Sequence, residues 1–142
     1  MNNGLVANAS ISINAPSAKV WDAIVTPEIV KRYMFGTEVV SDWEQGGPIM
    51  WKGEWKGKPY EDKGSILQIE PEKLLQYSHF SPLSGLPEIP ENYHTVTYEL
   101  SADGDQTKVS LSQDSNKDAK AVEHSKQMWQ TMLDGLKKVV ES

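Results

Sequence analysis

Ile11-Ser12-Ile13-Asn14-Ala15-Pro16-Ser17-Ala18-Lys19-Val20-Trp21-Asp22-Ala23-Ile24-Val25-Thr26-Pro27-Glu28 changes its hydrophobic period from two to that of a helix within a few residues. Ile11 and Ile13 alternate with Ser10 and Ser12, the pattern of a strand with one buried face, and the strand reads back to about Leu5. Pro16 suits the first position of a helix, and Val20, Trp21, Ile24 and Val25 recur at three- and four-residue spacings, which predicts a short amphipathic helix over about 16–25. Thr26-Pro27-Glu28 then ends that helix and opens another: Thr26 can accept a backbone N–H as N-cap, Pro27 fits the first turn, and Glu28 complements its positive end. The second helix reaches about Tyr33. A first strand therefore runs straight into a helix–helix corner.

Downstream the period returns to two. Gly46-Gly47-Pro48, Lys56-Gly57-Lys58-Pro59, Glu70-Pro71-Glu72 and Asp103-Gly104 punctuate strands at about 37–43, 49–55, 60–70, 73–80, 93–102 and 106–113. Connections this short make an antiparallel meander, because parallel neighbours need crossover helices. The longer connection, residues 81–92, carries Pro82, Pro87 and Pro90 among apolar residues and reads as an ordered loop or lid. From Asp118 to Glu141 the helical period holds throughout, with Val122, Met128, Trp129, Met132, Leu133, Leu136, Val139 and Val140 as its apolar stripe. The fold class expected is α+β: a curved antiparallel sheet of about seven strands wrapped around the long C-terminal helix, with two short helices after the first strand closing one end.

With 142 residues and no cysteine, the chain can bury roughly 70% of its unfolded surface and needs neither disulfides nor a thiolate metal site. One domain over 1–142 is expected, with about residues 1–4 flexible. Fourteen basic against twenty acidic side chains leave a net charge of −6, no footprint for nucleic acid or an anionic membrane. Met1 to Ala7 lacks a basic region followed by an apolar stretch, and no run is long enough to span a bilayer, so a cytoplasmic location is expected.

The residues 11–28 resemble the opening of the START-like, or SRPBCC, superfamily, and within it proteins similar to the C-terminal domain of the activator of the 90-kDa heat-shock protein's ATPase. Gly46-Gly47 before a strand, Gly64-Ser-Ile-Leu-Gln-Ile-Glu-Pro71 followed by Lys73-Leu74-Leu75, Thr107-Lys-Val-Ser-Leu111, and Met128-Trp129 with Leu133 and Leu136 follow the same pattern in the same order. The resemblance covers nearly the whole chain. It implies a helix-grip fold with an apolar cavity between sheet and terminal helix. It does not imply one function, since the superfamily includes lipid and hormone binders, polyketide cyclases and oxygenase domains. The full chaperone activator also has an N-terminal domain without a counterpart in these residues, so chaperone activation does not follow from the resemblance.

Motifs for other chemistry are missing. His79, His94 and His124 show no metal-ligand spacing; no Gly-x-Ser-x-Gly elbow occurs, and Ser84-Gly85 has no base beside it; no phosphate-cradling glycine loop occurs. No metal, no catalytic residue and no cofactor is therefore expected. The alternation leaves an aromatic and sulfur-rich inner surface: Trp51 and Trp55 on one strand, Tyr77 and His79 on the fifth, Val96 and Tyr98 on the sixth, and Met128, Trp129, Met132 and Leu136 on the helix. Spacing alone fits an ordinary core as well as a pocket; the resemblance points to a pocket, with those ten residues as the ligand-binding set and Tyr77, His79 and Tyr98 as polar handles.

The function expected first is non-enzymatic binding of a small, mostly apolar ligand, aromatic or acyl, by a monomer or weak homodimer. Two alternatives stand beside it: a polyketide cyclase-like enzyme with His79 as general base beside a tyrosine donor, and a stress-response interaction domain with a chaperone as partner.

Overall fold

The elements follow in the order β1 (Ala7–Ile13), α1 (Ser17–Val25), α2 (Pro27–Tyr33), β2 (Glu38–Ser41), β3 (Pro48–Trp55), β4 (Lys58–Glu70), β5 (Leu74–His79), β6 (His94–Asp103), β7 (Gln106–Gln113) and α3 (Ala119–Glu141). This computed structural model describes residues 5–34, 36–55, 57–81, 87–89, 92–114, 116 and 118–141, and of Trp55 the backbone only. The first four residues, and most of the expected 81–92 lid, lie outside the described residues.

The strands form one antiparallel sheet in the order β1-β7-β6-β5-β4-β3-β2. Each strand from β2 onward pairs with its chain neighbour, the result of short turns, and β1 closes beside β7. The turns use the backbone their residues favour: Gly46, Gly57 and Gly104 have positive φ, as does Glu72 after Pro71. The sheet's inner face and α3 enclose the core, in which Ile13, Val20, Val109, Leu133 and Leu136 have no exposed surface.

Two expectations about helix ends change. Pro16 stands just before α1, not inside it. The Thr26 hydroxyl makes no cap bond; it donates to Asp22 Oδ1 at 3.1 Å, a partner one turn back within reach while α2 begins with Pro27, which has no N–H to cap. At α3 the cap is Asp118, whose Oδ1 accepts from the Ala121 N–H at 2.8 Å.

The helices are tied to the sheet by buried polar bonds. Thr107 Oγ1, wholly buried on β7, donates to the Ala15 carbonyl at 2.8 Å and so holds the entry to α1. Tyr33 donates its hydroxyl to the Ala23 carbonyl at 2.7 Å, joining α2 to α1. Ser125, inside the apolar stripe of α3, donates to Asn116 Oδ1 at 3.0 Å, and Asn116 in turn donates to the Leu5 and Gln113 carbonyls.

One irregularity shapes the middle of the sheet. Ile66 pairs with Tyr77, yet Gln68 pairs with Gln76, so Leu67 is an extra residue in β4 and is left half-exposed. Ile66 and Ile69, three apart, consequently both turn inward. Beyond the bulge, towards the β3 end, β4 and β5 approach closely: an ideal Cβ on Gly64 would stand 1.7 Å from the Ser78 carbonyl oxygen. Only glycine fits there.

Candidate functional site

Between the inner face of β3, β4 and β5 and the first half of α3 lies a cavity of about 290 Å³. Strand alternation supplies one wall. Trp51 on β3 is directly opposite Asp62 on β4; Asp62 lies diagonal to His79, the last residue of β5; and His79 is directly opposite His94, the first residue of β6. Helical spacing supplies the other wall, Met128, Trp129 and Met132. Met34 and Thr37 close one end after α2, and Ser81, Asn92 and Gln113 contribute from strand ends.

The aromatic rings touch in sequence. The Trp51 ring centroid is 4.9 Å from those of Tyr77 and His79, Tyr77 is 6.0 Å from Tyr98, and His79 is 6.5 Å from His94. The Trp129 indole N–H donates to Gln113 Oε1, and both residues line the cavity. Thr37 and Tyr60 share a hydroxyl bond of 2.9 Å.

The polar groups are held in defined states. His79 Nε2–H donates to Asp62 Oδ2 at 2.9 Å, and the two side chains are 28% and 15% exposed. His94 Nδ1–H donates to the Asp114 carbonyl at 2.9 Å. In a neutral ring these anchors leave His79 Nδ1 and His94 Nε2 as acceptors. Asp62 Oδ1 is buried and has no hydrogen-bond partner among the described residues. Burial pushes the Tyr98 phenol up to about 12, against the opposing pull of its bond with Tyr77. Burial also holds Tyr77 well above the usual phenol range, reinforced by its neighbour Tyr98. Both stay neutral hydroxyls. Among the described residues, no Lys or Arg lines the cavity, and no group of three His, Cys, Asp or Glu side chains is placed to hold a metal ion.

Of the ten residues singled out from sequence, Trp51, Tyr77, His79, Met128, Trp129 and Met132 are brought together around this cavity. Met128 is 43% exposed and stands at its mouth. Val96, Tyr98 and Leu136 pack into the core and do not line it, Tyr98 because the Tyr77 ring lies beside it on the neighbouring strand. The Trp55 side chain lies outside the described residues. Asp62 is the main residue the sequence reading missed. Its signal was present, since Tyr60, Asp62, Gly64 and Ile66 alternate, but a bulge further along β4 hides which face is inner. In the sequence His94 stands out only as a possible metal ligand. Thr37, Asn92 and Gln113 sit at element ends, where no periodicity marks a face.

A second hollow, of about 340 Å³, lies over β1, β7 and β6. Ser10, Thr97, Glu99, Ser110, Ser112, Lys126 and Gln130 dominate its lining, with no aromatic ring among the described lining residues. An apolar ligand would gain little there.

The family described as activator of Hsp90 ATPase homolog 1-like protein matches residues 14–141. Among solved structures, a protein from Cytophaga hutchinsonii is 57% identical, with 99% of this chain and 97% of that one covered and a TM-score of 0.87. CalU16 from Micromonospora echinospora is 24% identical over 92% of this chain and 73% of its own, with a TM-score of 0.71. Aha1 from Colwellia psychrerythraea, a dimer in solution, is 19% identical over 96% of each chain, with a TM-score of 0.74. The last two share the fold; their identity carries nothing further. No protein of curated function matches.

Proposed function

The chain belongs to the activator of Hsp90 ATPase homolog 1-like family, in the START-like (SRPBCC) superfamily, and from that membership we propose that it binds a small, mostly apolar molecule between the sheet and α3. One observation carries the reading: a cavity of about 290 Å³ walled by Trp51, Tyr77, Trp129 and Met132, with polar side chains such as Asp62, His79 and His94 beside them. That volume and composition suit a ligand of one or two fused rings or a short acyl chain. Sealed and dry, an apolar void of this size would cost on the order of 7 kcal/mol, comparable with a domain's whole stability of about 5–15 kcal/mol. Occupancy by an apolar ligand recovers the contacts that such a void forfeits.

Binding is tested by thermal shift together with tryptophan fluorescence, since Trp51 and Trp129 line the cavity. A compound present at about a hundred times its Kd raises stability by about 2.7 kcal/mol, hence Tm by several degrees, and alters the emission of both indoles. A panel of naphthalene, flavonoid and acyl compounds that moves neither signal overturns the reading.

The Asp62–His79 pair favours a second reading, a cyclase-like enzyme. A carboxylate that holds the Nε2–H leaves Nδ1 as the basic atom, the arrangement of a general base. That reading expects His79→Ala to keep ligand affinity and fold while turnover of a polyketide-like substrate falls by at least about a hundredfold. Turnover that survives the substitution removes it.

A further inference from the structure

Asp62, His79 and His94 bring acceptor atoms together on the sheet wall of the cavity. Asp62 Oδ2 is taken by His79, and Oδ1 is buried without a partner among the described residues. His79 Nδ1 and His94 Nε2 accept when their rings are neutral, because the opposite nitrogen of each ring carries the proton given to Asp62 or to the Asp114 carbonyl. Of the donors nearby, the Trp129 indole N–H points to Gln113 Oε1, Asn92 Nδ2 to the Pro87 carbonyl at 2.8 Å, and the Thr37 and Tyr60 hydroxyls share one bond. Lys63, on β4 beside Asp62, is paired with Glu88.

We infer that the cavity selects an apolar ligand bearing a hydrogen-bond donor, a hydroxyl or an amine, which pairs with the Asp62–His79–His94 acceptors, and that it turns away carboxylates. The inference rests on the binding reading above and adds the ligand's polar group to it. A carboxylate would meet the Asp62 side chain and two acceptor nitrogens with no cationic side chain among the described lining residues to offset them. An apolar ligand without a donor would displace whatever solvates the acceptors and replace none of its bonds. A hydrogen bond to a charged acceptor is worth about ten- to a hundredfold in affinity.

The test uses ligands with one body and different heads: 2-naphthol, 2-naphthylmethylamine, 2-methoxynaphthalene and 2-naphthoate, titrated calorimetrically at one pH. The naphthol and the amine are expected to bind about ten- to a hundredfold tighter than the methoxy compound, with the naphthoate weakest. In Asp62→Asn the amine should lose most of its advantage, because the charge it answers is gone. The wild-type series decides even if that variant does not fold. Equal affinity for naphthol and methoxynaphthalene overturns the donor inference and leaves the binding reading standing; tightest binding of naphthoate does the same and makes the histidines an anion site. Binding of none of the four overturns both.

Discussion

Gly64→Ala is expected to unfold the protein or leave it at least about 4–5 kcal/mol less stable, the range reached only by severe steric or core defects. The new Cβ would fall 1.7 Å from the Ser78 carbonyl oxygen and 2.6 Å from its carbon. Both are backbone atoms in a ladder closed by Lys63 N–H to the Phe80 carbonyl at 3.0 Å and the Phe80 N–H to the Lys63 carbonyl at 2.8 Å. A side chain could swing aside; a paired strand cannot without opening β4 from β5. Ser65→Ala, on the solvent side of the same strand, is the control and should change stability by no more than about 0.5 kcal/mol. The measurement is thermal and urea unfolding by circular dichroism. A Gly64→Ala protein with a Tm within a few degrees of wild type would show that the strands do not approach as described. The same close approach sets the site, since it lets Asp62 of β4 reach His79 of β5.

Alkaline unfolding is expected to be steep. Tyr98 titrates at about 12 when folded, against about 10 for a tyrosine in an unfolded chain. Burial holds Tyr33 and Tyr77 well above the usual range too, each with Tyr98 as a further cause. Between the two values the unfolded chain has given up a proton that the folded one retains, so stability is whole below about pH 10 and falls above it. Each such tyrosine takes about 1.4 kcal/mol per pH unit. Tyr98 alone removes about 2.3 kcal/mol by pH 12; with all three the slope approaches about 4 kcal/mol per pH unit. From a stability of about 5–15 kcal/mol, unfolding should set in between about pH 11 and 12 or soon after. Denaturation curves recorded from about pH 8 to 12 measure the slope, and Tyr98→Phe should lower it by one proton's share. Stability that stays level across that span would contradict the burial of the three phenols.

Much of the architecture was legible because short antiparallel strands and one amphipathic helix carry their burial in local periodicity. The elements from Ala7 to Glu141 fall within a few residues of the sequence reading, and Ile13, Trp51, Leu75, Tyr77, Val96 and Leu133 lie on the faces their spacing indicates. Ser125 shows where that rule ends: in a helix it reads as a gap in the stripe, and only its bond to Asn116 explains its burial. Leu67 shows it again, since an apolar residue inside a strand is left outward by a one-residue bulge.

Local sequence carried the antiparallel sheet with its long terminal helix, the strand–helix–helix entrance and the aromatic and sulfur-rich inner surface, because a period of two or 3.6 is written between neighbours along the chain; the helix-grip class came with the family resemblance. Tertiary structure alone decided which of those residues border an open volume and which fill the core. It also decided that Asp62 meets His79, that His94 stands across from it, and that Asp62 Oδ1 has no partner among the described residues. These depend on register, on the Leu67 bulge and on the approach at Gly64, contacts between segments far apart in sequence whose geometry no local period records.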